Sequence, residues 1–316
     1  MKSEKNNKDR LIERTNQIYH DILGEMYHYT NPEIETYWMN KWKEVAFKFF
    51  ELNKGRKIVD LGTGTGFVPL SIASLLEKED TFTCSDISQG ILNIAKKNIL
   101  KENFNCNFKF IKTNKSDKLP FEKNSIDIVT MNAVLHHIPN IDKFLSEVDR
   151  ILKPGGIVSI ALEPNEKFYK NKFLMRRYKL FMLFFNTKQA IKNIVGRKKM
   201  FNIFQKIYYL FNKSKKYKLD INVNAENKIN ELLLKEKLIS NPLSSEEISK
   251  MVDCNADRGI DPTRILTNYK KVYFKTYDHL FLATTKNKLA KNYVYNLERK
   301  FPEENSAFFI VLRKVK

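Results

Sequence analysis

The stretch 57–73, KIVDLGTGTGFVPLSIA, constrains the fold more than any other part of the chain. Strand-forming residues end on Asp60, glycines follow at 62, 64 and 66, and apolar residues at helical spacing come next. This strand–glycine loop–helix unit is then repeated in outline. Further strands are expected over 81–85, 107–112, 126–131 and 157–162, with helices over 67–78 and 88–102. Another helix, NIDKFLSEVDRILKPGG, closes on a Pro-Gly-Gly turn. Strands alternating with helices predict a Rossmann-like, doubly wound α/β sheet with helices on both faces. Right-handed crossovers leave few topologies. Two late segments, YKKVYFKTYDHLF and SAFFIVLRKV, supply strands that complete a mostly parallel sheet with an antiparallel C-terminal strand.

Around this core the pattern changes. Residues 10–52 carry apolar and aromatic side chains at helical spacing, broken at Asn31-Pro32. After Glu163 the alternation stops for about a hundred residues of mainly helical pattern. Within them SSEEISKMVDCNADRGIDPTRI gives a capped helix opening at Ser244 or Ser245, then a turn-rich loop. The expected division is an N-terminal helical lid over 1–54, a cofactor-binding core over 55–164, a helical cap over 165–265 and C-terminal strands over 266–316.

The glycine loop states what the core binds. Glycines there allow left-handed backbone and close approach of a ligand, and the following helix turns its free amides toward it. A dinucleotide loop reads G-x-G-x-x-G and holds a pyrophosphate. Here the spacing is G-x-G-x-G with Asp60 just ahead, which repels a pyrophosphate and suits an ammonium group. Asp86 ends the next strand, where the ribose diol of a nucleoside would lie. An adenosine bearing an amino-acid group satisfies both acids, and that ligand is S-adenosylmethionine (SAM).

VDLGTGTG, CSDIS, LPFEKNSIDIVTMNAVLHHI and FLSEVDRILKPGG resemble, in order and spacing, the signature segments of class I SAM-dependent methyltransferases. The branch they look most like contains the ubiquinone/menaquinone and other small-molecule methyltransferases. The resemblance covers about one third of the chain, 57–164. It implies that Asp60 and the loop of Gly62, Thr63, Gly64 and Gly66 hold the methionine end, that Asp86 takes the ribose hydroxyls and that Ile87 lies against the adenine. The family's usual aspartate about four residues before LPF is absent. Lys115 has that spacing, Asp117 is near, and Asn114 would reach the adenine amino group after a one-residue shift. Asn132, at the fourth strand's end, is the candidate for a further cofactor contact.

Methyl transfer from a sulfonium is an in-line displacement in which the cofactor carries the reactivity, so the protein mainly aligns the acceptor. A hydroxyl or amine acceptor must also lose a proton, which a histidine can take. His137 is the candidate base. His136 reads more simply as a packed residue bonded to the backbone. His20, Tyr27 and His28 would close over the site, or serve as ordinary helix residues. Asp253, Asn255, Arg258 and Asp261 in DCNADRGIDPTR would face the acceptor, or simply stitch a turn.

The formal net charge of +20 is regional. Residues 167–218 hold 16 Lys/Arg, 13 aromatic residues and no acid. This insertion reads as a plain cap, as a face for an anionic membrane that leads to a lipid-like acceptor, or as a nucleic-acid surface. Base-amino methyltransferases of this fold carry an Asn/Asp-Pro-Pro-aromatic tetrad after the fourth strand. Asn132-Ala133-Val134 lacks it, which counts against base N-methylation. A small-molecule or lipid-like acceptor is therefore expected, with an RNA-modifying methyltransferase or an inactive SAM-binding partner protein as alternatives. Three scattered cysteines, Cys84, Cys106 and Cys254, argue for reduced thiols and no metal. A charged N-terminus without an apolar core argues against a signal peptide, and the expected location is cytoplasmic.

Overall fold

The computed structural model describes residues 2–23, 32–50, 55–181, 223–280 and 288–315. Two helices open the chain, α1 (Lys2–Leu23) and α2 (Pro32–Phe49). The alternation follows: β1 (Lys57–Leu61), α3 (Phe67–Ile72), β2 (Thr81–Asp86), α4 (Gln89–Leu100), β3 (Asn107–Lys112), β4 (Ile126–Asn132), α5 (Ile141–Ile151) and β5 (Leu152–Pro164). Beyond it lie α6 (Glu166–Lys170), α7 (Val223–Lys235), α8 (Ser245–Val252), β6 (Lys270–Tyr277), α9 (Lys288–Lys300) and β7 (Ala307–Arg313).

The seven strands form one sheet of order β3-β2-β1-β4-β5-β7-β6. β1 to β5 pair in parallel, and β7 runs antiparallel to both β5 and β6. The antiparallel C-terminal strand expected from the sequence is present, placed inside the sheet. Its side chains from Ala307 to Leu312 are all buried, as an uninterrupted apolar run requires of a strand covered on both faces. The strand order reverses between β1 and β4, which opens a crevice at their C-terminal ends.

One face is covered by α2, α3 and α4, with Trp38, Trp42 and Phe50 packed on Phe82 and Phe309. The other takes α5, whose Phe144 and Val148 meet Val59, Val129, Phe308 and Ile310. A smaller core joins α1 to the cap, where Ile18 and Tyr19 pack on Ile229, Leu233, Ile248 and Val252. The capped helix begins at Ser244, through a reciprocal bond with Glu247.

Two boundaries differ from expectation. The helix expected over 67–78 tightens into a 3₁₀ turn at Ala73–Leu75, and Leu76 is extended. Asp80 is the cause, since its carboxylate accepts the N–H groups of Arg56 and Glu77 and draws the chain toward β2. The Pro-Gly-Gly turn lies inside β5, accommodated by a register shift between Ile126 and Ile128 of β4.

Candidate active site

The glycine loop begins where β1 leaves the sheet. Gly62 and Thr63 both donate their N–H groups to the Ser85 carbonyl at the end of β2, at 2.8 and 3.0 Å. That closes a turn in which Gly62 has φ 69°, and a Cβ there would lie 2.7 Å from Val134 Cγ2. Only glycine fits. Gly64, also left-handed, gives its N–H to Asp86 Oδ2 at 2.9 Å. The other oxygen of Asp86 accepts from Ser88 N–H at 3.0 Å, which fixes the acid at the strand end. Burial pushes its pKa up to about 6 against these bonds.

A cavity lies over this loop at the switch point, lined by Gly62, Thr63, Gly64, Asp86 and Ile87 from the β1 and β2 ends. Thr113, Lys115 and Ser116 line it from the loop after β3, and Asn132, Val134 and His137 from the end of β4. Asn132 also accepts the indole N–H of buried Trp42, at 2.9 Å. α1 forms the roof through Glu13, Asn16 and His20. It is latched at both rims. Asp21 accepts from Ser88 Oγ at 2.5 Å and from Gly90 N–H at 3.0 Å, while Glu13 accepts from the N–H and the hydroxyl of Ser116.

Three residues expected to touch the cofactor lie off the cavity's lining in this structure. Asp60 is buried and does not line the cavity; its oxygens accept the hydroxyls of Thr63 and Thr130, at 2.9 and 2.6 Å. Burial pushes its pKa up to about 7, and its work is to brace the loop from beneath. Gly66 is likewise absent from the lining. With φ 97° it starts α3, and a Cβ would meet Ile99 Cδ1 at 3.2 Å, so its role is close packing on α4. Asn114 is exposed, and its neighbours Thr113, Lys115 and Ser116 are the ones that face the cavity. Tyr27 and His28 lie outside the described residues.

The histidine pair occupies a 3₁₀ turn, Leu135–His137, directly after β4. The turn is held by Glu163, which the sequence reading passed over. Its fully buried carboxylate accepts the N–H groups of Val134, Leu135 and His136 at 2.6, 2.8 and 3.2 Å, and lies 2.9 Å from His136 Nδ1. A bulge in β5 between Ala161 and Glu163, with Leu162 at φ 59°, aims it there. The one sequence signal is an acid that ends an otherwise apolar strand. Burial opposes the charged form of His136, but Glu163 and then Asp253 outweigh it, and its pKa is raised.

His137 differs from its neighbour. Its Nδ1 is 2.7 Å from the Val252 carbonyl, and burial, His136 and His20 together depress its pKa well below the usual histidine range. The rings of His20 and His137 meet edge to face with centroids 5.5 Å apart. The cap loop fastens this turn from outside: Asn255 donates its N–H to the His136 carbonyl at 2.9 Å and its side-chain amide to the Ile138 carbonyl at 2.8 Å. Asp253 stands against the pair, whereas Asp261 caps a short turn through Thr263 and Arg258 continues the local turn to Asn255. Of the four residues of DCNADRGIDPTR read as acceptor-facing or as turn residues, Asp253 and Asn255 touch the histidine turn, and none of the four lines the cavity.

A family model described as a methyltransferase domain matches residues 52–215, just over half of the chain. Among curated proteins, the ubiquinone/menaquinone biosynthesis C-methyltransferase UbiE of Brucella canis is 29% identical over 155 residues, 48% of this chain and 56% of that protein. The UbiE of Vibrio cholerae is 26% identical over 168 residues, 51% of this chain and 64% of its own length. The match therefore spans less than two thirds of these relatives. Among solved structures, a SAM-dependent methyltransferase from Aquifex aeolicus is 25% identical over 41% of this chain and 67% of its own, with a TM-score of 0.36. Geranyl diphosphate C-methyltransferase from Streptomyces coelicolor is 10% identical over 87% and 79%, with a TM-score of 0.42.

Proposed function

The chain belongs to the methyltransferase-domain family, in its class I SAM-dependent form, and on that premise we propose that it methylates a small, lipid-like metabolite. The cofactor is SAM, which supplies an electrophilic methyl group on a sulfonium. The residues present suit it. Gly62, Thr63 and Gly64 leave room for a ligand backbone to approach, and Asp86 and Ile87 line the same cavity at the end of β2. In this reading Asp86 accepts the ribose hydroxyls, Gly62 to Gly64 hold the methionine end, and Thr113, Lys115 and Ser116 border the adenine. Asn132, anchored by Trp42, orients the reacting end.

The observation that carries the proposal is one covered cavity in which the glycine loop and Asp86 face His137. A neutral imidazole beside the cofactor site can take the proton that an acceptor hydroxyl or activated ring carbon must release. α1 over the cavity would limit water around the reacting atoms, which would strengthen polar interactions inside. Within 1–54, α1 would then act as the lid, with 55–164 as cofactor core, 165–265 as acceptor cap and 266–316 as the strands that complete the sheet. The names of the curated relatives, which concern quinones, support an apolar acceptor. No described helix is long and apolar enough to cross a membrane.

The test is transfer from methyl-labelled SAM to a cell lipid extract. Label that enters the organic phase, and stays out of it with the His137→Asn variant, supports the reading. Label recovered in RNA would favour the alternative substrate class.

A further inference from the structure

The cap carries a carboxylate that the methyl-transfer scheme has not used. Asp253 caps the C-terminus of α8 and its side chain is only 7% exposed. Its Oδ1 lies 3.2 Å from His137 Nδ1 and 3.9 Å from His136 Nε2, and its Oδ2 is buried without a hydrogen-bond partner. Burial pushes the Asp253 pKa up to about 6, which leaves it ionised at neutral pH.

The Val252 carbonyl decides the state of His137. A carbonyl can only accept, so at 2.7 Å the proton sits on Nδ1 and the lone pair on Nε2. The groups around that ring are His136 on the same turn, His20 from α1, Asp253 from the cap and, behind His136, Glu163. Two imidazoles and burial oppose a positive charge on His137. Asp253 Oδ1, 3.2 Å from that Nδ1, is a close acid whose charge favours one, as it does on His136, and Val252 ends a helix whose C-terminal dipole acts in the same sense.

We propose that Asp253 is a positioning residue for His137: with the Val252 carbonyl it keeps Nδ1 protonated, and it stabilises the imidazolium formed when Nε2 takes the acceptor's proton. The claim, which rests on the methyl-transfer reading above, gives the insertion a part in the chemistry besides covering the acceptor. The step balances. The acceptor's O–H or C–H bond breaks, its proton moves to Nε2, and its electron pair forms the bond to the methyl carbon while the sulfur keeps the pair of the broken C–S bond. A divalent cation held by His136, His137 and Asp253 is the competing use of these atoms. The short bond from His137 Nδ1 to Val252 favours the proton-bearing state, because that nitrogen is already committed.

The first test needs no variant. Long-range proton–nitrogen spectra of the full chain, labelled with ¹⁵N-histidine, should show His137 as the Nδ1–H tautomer at neutral pH; the Nε2–H tautomer overturns the proposal. The second uses labelled SAM with a panel of hydroquinone acceptors. Asp253→Asn should lower kcat about 10–100-fold while the SAM Kd and the acceptor KM stay within twofold, and Asp253→Glu should recover part of the loss. In a His137→Asn background the same change should cost less than a further twofold. Equal losses in both backgrounds, or an unchanged kcat, overturn it. So does turnover that a chelator abolishes and Zn²⁺ or Mn²⁺ restores, with cation binding lost in Asp253→Asn. A chain that binds no SAM fails the methyltransferase reading itself, whereas one that transfers methyl groups but ignores Asp253→Asn fails only this proposal.

Discussion

At Gly62 a Cβ would meet the Val134 side chain, while at Gly64 it would meet nothing within 4 Å. Both have positive φ, so alanine at either carries strain of about 1–2 kcal/mol. Only Gly62→Ala adds a clash, and it should therefore lower the urea midpoint clearly more than Gly64→Ala. Equal losses would mean that Val134 yields freely. Asp86 gives a pH signature. Its carboxylate must be ionised to accept two ribose hydroxyls, and burial pushes its pKa up to about 6. Because that value is raised, the acceptor form is full above about pH 7 and is lost as pH falls through 6. SAM affinity measured by calorimetry should be flat above pH 7 and fall up to about tenfold per unit below 6, and Asp86→Asn should flatten the profile. Legibility differs between the acids. Asp86 was readable because its place at a strand end is a local property. The orientation of Asp60 depends on Thr130, seventy residues away, and the role of Glu163 depends on a bulge in β5. The first has no local signal, and the second has only an acid ending an apolar strand.

At the scale of elements, the β/α alternation was legible because apolar period and turn residues lie within short windows. The strands came out close to expectation, and the helix over 67–78 was overrun because Asp80 reclaims the chain. α1 was readable as a helix, but its place over the cavity was not. That place is set by Asp21 on the start of α4, Glu13 on Ser116, Asn16 on the Val252 carbonyl at 3.0 Å and Arg14 on Glu236. These partners come from four different parts of the chain. If α1 is the roof of a bound cofactor, Glu13→Ala with Asp21→Ala should speed SAM release about tenfold, since each charge-assisted contact contributes on the order of 1 kcal/mol where solvent reaches it. Stopped-flow displacement measures this directly. An unchanged release rate would make α1 a structural strap and not a gate.

For the whole molecule, the proposed cofactor and acceptor functions draw on different stretches of chain. The groups assigned to the cofactor fall before 133, whereas Glu163, Val252 and Asp253, which set the histidine turn, come from the end of the sheet and from the cap. The basic aromatic stretch 167–218 is described only as far as residue 181, where Arg176 is exposed and Arg177 stacks over Phe173 at 4.7 Å. The rest of the stretch, which the sequence leaves open as a plain cap, a membrane face or a nucleic-acid surface, lies outside the described residues. Glutamine at Arg176, Arg177, Arg197, Lys198 and Lys199 should leave SAM binding unchanged. If the stretch meets anionic lipid, the same variant should lose co-sedimentation with acidic vesicles, at up to about 1 kcal/mol per cation. A parent protein that ignores such vesicles at low salt contradicts the membrane face and leaves a soluble acceptor. The central claim is that one cavity, built on the glycine loop and Asp86, holds SAM. Calorimetric titration of the wild-type chain and of Asp86→Ala with SAM at pH 7.5 tests it most directly. The expected result is one site in the wild type, weakened at least about tenfold in Asp86→Ala by loss of charge-assisted hydrogen bonds. Wild-type protein that takes up NAD and shows no heat with SAM would contradict it.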